Sequence, residues 1–91
     1  MEFVINEKAK KWLMRHGSVL TIGFFDIGGC CVSIIELDVR LGEPNDLNRF
    51  QRYKKEGLTF FIENGLDFKG NRVTISLSLF SRIQVQGVKR F

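Results

Sequence analysis

The spacing of apolar residues predicts one helix near the start of the chain. Between residues 7 and 16, apolar side chains recur at positions i, i+3 and i+4, which form one face of a helix. Asn6 is a good N-cap residue before this segment, and Gly17 suits the position where a helix stops. The sequence therefore predicts a helix from Glu7 to His16.

After Gly17 the apolar pattern changes to the period of two that is typical of strands. Segments of this kind cover residues 18–25, 32–41, 58–62, 72–80 and 83–85. Residues 47–56 are polar and basic, and they predict an irregular stretch with a short helical turn. The fold class that follows is α+β, with an N-terminal helix leading into a mostly antiparallel, β-rich domain.

Length and charge indicate one small domain over residues 1–91. No apolar run reaches the length of a membrane span, and residues 1–7 lack the pattern of a signal peptide. We therefore expect a cytoplasmic protein without membrane contact. The net charge of +4 is spread along the chain, so it favours an acidic client protein and does not require nucleic acid.

Both cysteines of the chain are adjacent, as Cys30 and Cys31, and they follow Gly28 and Gly29. Neighbouring α-carbons lie about 3.8 Å apart, whereas a relaxed disulfide needs roughly 4.4–6.8 Å. The pair is thus a poor structural crosslink and a candidate redox or metal site, with the two glycines as the supporting loop. The alternative is that the thiols fill space, although strand neighbours point to opposite faces and only one would enter a core.

Other residues carry weaker chemical signals. His16 is the single histidine, and we expect it to end the helix rather than bind a metal. Residues 49–55 interleave aromatic and basic side chains, a pattern seen in single-strand binders, but a solvated loop anchored by Phe50 and Tyr53 is the preferred interpretation. No catalytic residues are predicted.

The order of these segments resembles the HesB/IscA-like domain of A-type iron–sulfur carriers. The matching stretches are residues 5–13 for the helix, 28–30 for the Gly-Gly-Cys motif and 57–62 for a later strand. The carriers also have a Cys-x-Cys motif near the C-terminus, whereas residues 83–91 contain no cysteine. The doubled cysteine is similar to a small HesB-like group with a Cys-Cys motif, some of whose members carry selenocysteine, and this favours thiol redox chemistry.

The predicted function is an iron–sulfur-related or thiol-redox accessory protein that acts through Cys30 and Cys31, without a small-molecule substrate of its own. One chain supplies two thiolates, while a cluster or structural zinc ion takes four ligands, so a metal or iron–sulfur cluster would be shared across a homodimer. Thiol redox would need no cofactor. The alternative is a non-catalytic interaction module on a HesB-like scaffold that has lost carrier chemistry.

Overall fold

The computed structural model describes residues 1–26, 28, 35–78 and 82–88. Cys30, Cys31 and Gly29 lie outside these residues. The elements, in chain order, are β1 (Glu2–Ile5), α1 (Glu7–Arg15), β2 (Val19–Asp26), β3 (Ile35–Leu41), β4 (Phe50–Lys55), β5 (Leu58–Glu63), β6 (Arg72–Leu77) and β7 (Ile83–Gln86), with short 3-10 turns at Leu47–Arg49 and Lys69–Asn71.

Helix α1 begins at the predicted residue, Glu7, and ends at Arg15, so that the predicted last residue, His16, is its C-cap. The Asn6 side chain accepts a hydrogen bond of 2.8 Å from the backbone N–H of Lys8, which satisfies one of the free donors of the first turn. At the other end, Gly17 has φ +102°, and the N–H of Ser18 donates to the carbonyl of Leu13 at 2.8 Å. In the described part of the chain, no helix has the length and apolar character to cross a membrane.

The strands form two mixed sheets. The four-stranded sheet has the order β3-β2-β5-β4, and the three-stranded sheet has the order β1-β6-β7. Strands β2 and β5 pair in parallel, as do β1 and β6, while the other pairs are antiparallel.

The two sheets and the helix share one core. The Phe3 ring of β1 stacks on the Phe60 ring of β5, with centroids 4.7 Å apart. Ala9 and Leu13 add the apolar face of α1 to this core. The other buried apolar residues of the core are Leu20, Ile22, Leu58, Ile62, Leu66, Phe68, Val73 and Ile75.

The predicted fold, in which an N-terminal helix leads into the β-rich domain, is wrong. The chain does not lead with its helix, because β1 precedes α1 and adds to the three-stranded sheet. The domain is mostly β, with a nine-residue helix, and it is rich in antiparallel pairs as predicted, although each sheet also contains a parallel pair. Parallel pairing joins strands that are distant in sequence, so local patterns do not encode it.

The prediction for residues 50–55 is also wrong. The sequence predicts an irregular, solvated loop here, but the segment is strand β4, paired with β5 from Phe50↔Glu63 to Lys55↔Leu58. Phe50 and Tyr53 do anchor it, since both are half-buried.

Candidate functional site

The predicted cysteine loop connects two strands that are neighbours in the four-stranded sheet. Strands β2 and β3 are antiparallel, and their register ends at the pair Asp26↔Ile35. Cys30 lies four positions after Asp26, and Cys31 lies four positions before Ile35. Because four residues span at most about 14 Å, the cysteines are tethered to this end of the sheet, which we call the cysteine end.

The last described pairs of the β2–β3 ladder form a firm base for this loop. Phe24 and Leu37 are partners in the register, and both pack against the core on the inner face. Phe25 and Glu36 are partners on the outer face, where both are exposed. Gly28 is half-buried. The end of the ladder that carries the loop is therefore packed against the core on its inner face and exposed to solvent on its outer face.

A buried carboxylate lies beside β2, on the way to the cysteine end. Strand β5 runs parallel to β2 and ends at Glu63, whose carboxylate is beside Gly23, before β2 reaches its own end at Asp26. Glu63 is only 8% exposed, and its Oε2 accepts a hydrogen bond of 3.3 Å from Nη2 of Arg49. A Cβ atom on Gly23 would lie 2.9 Å from Oε1 of Glu63, so the carboxylate occupies space that this glycine leaves open.

Sequence reasoning did not identify the Glu63–Arg49 pair. The available signal was a single glutamate at the end of the apolar run 58–62, beside Asn64 and Gly65. These two residues form a tight turn, in which the N–H of Leu66 donates to the carbonyl of Glu63 at 3.2 Å.

His16 is not part of the cysteine end. It follows α1 and precedes the start of β2, and the eight residues of β2 separate the two ends of that strand by roughly 23 Å. Its ring stacks on Trp12 with centroids 4.0 Å apart, and its Nδ1 lies 2.7 Å from the carbonyl oxygen of Trp12. The expectation that His16 ends the helix is confirmed.

The fit of a metal or cluster depends on the two cysteines. Among residues 1–26, 28, 35–78 and 82–88, no group of three or more His, Cys, Asp or Glu side chains is arranged to hold a metal ion. The candidate donors within one chain are therefore the Cys30 and Cys31 thiolates, and a four-thiolate set requires a second chain.

The fold and the site together define a small mixed-β domain whose two cysteines lie in a connection between adjacent antiparallel strands. A family model described as the CC/Se motif containing family matches residues 1–89, and the chain belongs to this family. No curated protein and no solved structure matches the chain. The resemblance to HesB/IscA-like carriers stays a prediction.

Proposed function

We propose that this protein is a thiol-redox or iron–sulfur-related accessory protein that acts through the adjacent thiols of Cys30 and Cys31, with thiol redox as its principal chemistry. The observation that carries the proposal is the β2–β3 register, which ends at Asp26↔Ile35 and leaves the cysteine pair at the midpoint of the connection. We expect a cysteine pair in a connection at the end of a ladder to be within reach of another macromolecule.

The family description supports the choice of thiol chemistry. It names a CC/Se motif, and Cys30-Cys31 is the only pair of adjacent cysteines in the sequence. Selenium in place of sulfur gives a stronger nucleophile with a more easily oxidised centre. A residue that merely fills space gains little from this replacement, whereas a redox residue gains reactivity.

The proposed reaction is a dithiol–disulfide exchange with a partner disulfide. One cysteine thiolate attacks a sulfur of the partner disulfide, which forms a mixed disulfide and releases one partner thiolate. The second cysteine, after loss of its proton to solvent, attacks the cysteine sulfur of the mixed disulfide and releases the other partner thiolate. The protein loses two electrons and two protons and gains a Cys30–Cys31 disulfide, while the partner gains two thiols.

A shared metal centre is the second form of the proposal. Four thiolates from two chains have the donor type and number for a [2Fe–2S] cluster or a zinc ion, and a homodimer would supply them. Cys30 and Cys31 of each chain would hold the group, which would supply one-electron transfer if it is a cluster. Because adjacent cysteines make a poor structural disulfide, a reducing compartment suits the pair in both forms, and we propose a cytoplasmic location.

Anaerobic reconstitution with iron and sulfide distinguishes the two forms. The reduced protein is compared with the Cys30→Ser/Cys31→Ser variant by visible absorption, metal content and native mass. The redox form predicts no cysteine-dependent metal, together with thiols that a disulfide reagent modifies rapidly in the folded protein. A cysteine-dependent absorption band with about one cluster per two chains would establish the metal form instead.

One combined result would overturn both the redox form and the metal form of the proposal. If the folded protein binds no metal and its thiols react only after unfolding, the cysteines are structural. The alternative function, a non-catalytic interaction module on this scaffold, would then replace the proposal.

A further inference from the structure

Strand β4 lies at the edge of the four-stranded sheet. Its register with β5 occupies one side of the strand, from Phe50↔Glu63 to Lys55↔Leu58. Among the strands that the structure describes, none pairs with its other side. The edge therefore presents backbone N–H and C=O groups that can bind an added strand.

This edge is positively charged. Arg52, Lys54 and Lys55 are all exposed. Among the described residues the ion pairs are Lys10–Glu56, Arg40–Asp38, Arg49–Glu63 and Arg72–Glu2, so none of the three cations on β4 is paired with a described carboxylate. Their charge remains available to a partner of opposite sign.

A groove of about 490 Å³ runs beside the same strand, between β4 and the first residues of β1. Phe3 and Tyr53 contribute aromatic rings to its lining, with centroids 5.5 Å apart, and Lys54 and Lys55 contribute cationic side chains. The groove offers room for the side chains of a strand that pairs with β4.

The cations determine which strand can pair here. A second copy of β4 would bring like charges together across the new ladder, which is unfavourable. An acidic strand would form ion pairs in the same positions. The same cations that disfavour pairing between two copies of β4 thus favour a partner strand of opposite charge.

Nucleic acid fits this edge less well than a peptide. Single-strand binders stack bases on accessible aromatic rings. Here Tyr53 packs against Phe3, and its hydroxyl donates to Oε1 of Gln51 at 2.6 Å. Phe50 is half-buried beside Gly23, with ring atoms 3.6 Å from the position of an added Cβ. Neither ring forms an open stacking platform.

We propose that the free edge of β4, with Arg52, Lys54 and Lys55, binds an extended acidic segment of a partner protein by strand addition. The inference is independent of the thiol chemistry, because it rests on β4, which β5 separates from β2 and β3 in the sheet.

Binding of a defined peptide tests the proposal. The probe is a fluorescein-labelled octapeptide that alternates threonine and glutamate, measured by fluorescence anisotropy at low salt. The variant Arg52→Gln/Lys54→Gln should weaken binding about tenfold, because each exposed ion pair contributes a few-fold to affinity. The matched control, Lys8→Gln/Lys11→Gln on α1, removes the same charge from exposed residues and should weaken binding less than twofold.

Three further measurements test the mode of binding and its independence from the cysteines. A peptide with N-methyl groups on alternate residues cannot complete the ladder and should bind at least tenfold more weakly, and backbone amide shifts on binding should fall in Phe50–Lys55 rather than in α1. The Cys30→Ser/Cys31→Ser variant should bind the peptide normally, which separates this proposal from the redox proposal.

Three results would overturn the inference. Equal weakening in both charge variants would indicate a net-charge effect, and equal affinity of the N-methylated peptide would exclude strand addition. Tighter binding of a deoxythymidine decamer at Arg52 and Lys54 would identify the edge as a nucleic-acid surface.

Discussion

At the scale of single residues, the clearest dependence is between Gly23 and Glu63. The carboxylate is almost fully buried, is held by Arg49, and lies where a side chain at position 23 would begin. A strand usually disfavours glycine, so its presence on β2 has a local reason. The reason is the close approach of Oε1 of Glu63, at 2.9 Å from a Cβ.

We therefore expect Gly23→Ala to lower the free energy of unfolding by about 1 kcal/mol, despite the better strand propensity of alanine. In the Glu63→Ala background the same change should cost nothing or stabilise the protein. Urea denaturation of the four proteins of this double-mutant cycle measures the coupling between the two sites. Additive effects would show that the glycine and the carboxylate do not interact.

The sequence encodes this residue pair only weakly. The cysteine pair is visible in the sequence because its chemistry is unusual at any place in a fold. Glu63 and Gly23 become significant only once β2 and β5 lie side by side, and that parallel pairing joins residues about forty positions apart. Their role could not be predicted from local pattern.

At the scale of elements, the sequence predicts those with strong local signals. Helix α1 has a cap, a stop and a periodic face, and β6 alternates with Val73 and Ile75 buried as expected. Strands β1 and β4 were missed for different reasons. Strand β1 has only four residues, which is too few to show a clear period. Strand β4 is a basic edge strand, and the face that carries Tyr53 also carries the polar residues Gln51 and Lys55, so it lacks an alternation of apolar and polar residues.

Gly87, after β7, provides a test of how the three-stranded sheet is closed. It has φ +99°, its carbonyl accepts a hydrogen bond of 2.7 Å from the N–H of Lys69, and an added Cβ would lie 2.8 Å from the backbone oxygen of Arg72. Gly42 has a similar φ of +91° with nothing within 4 Å of the same position. The two glycines differ mainly in their steric surroundings.

Gly42→Ala should cost about 1 kcal/mol, the usual penalty for alanine in the left-handed region. Gly87→Ala should cost about 1–2 kcal/mol more, because backbone atoms cannot move as easily as a side chain. Thermal and urea unfolding of the two variants give the comparison. Equal losses would mean that the backbone at Arg72 yields without cost.

At the scale of the whole molecule, different strands of the four-stranded sheet carry different chemistry. The β2–β3 ladder, at one edge of the four-stranded sheet, anchors the cysteine loop. Strand β4, at the other edge, carries the unpaired cations. The positive net charge indicates an acidic partner, but only the order of the strands shows that β3, which follows the cysteine loop, and β4, which carries these cations, are opposite edge strands.

The central claim is that Cys30 and Cys31 work as one dithiol–disulfide pair, and a redox titration of the folded protein tests it most directly. The protein is equilibrated in glutathione buffers of increasing oxidation, trapped with an alkylating reagent, and analysed by intact mass and peptide mapping. We expect both thiols to be lost together in a monomer, through a strained and easily reduced Cys30–Cys31 disulfide. Single Cys30→Ser and Cys31→Ser variants should give only glutathione adducts or crosslinked dimers. Two thiols that stay reduced throughout, and react only after unfolding, would contradict the claim.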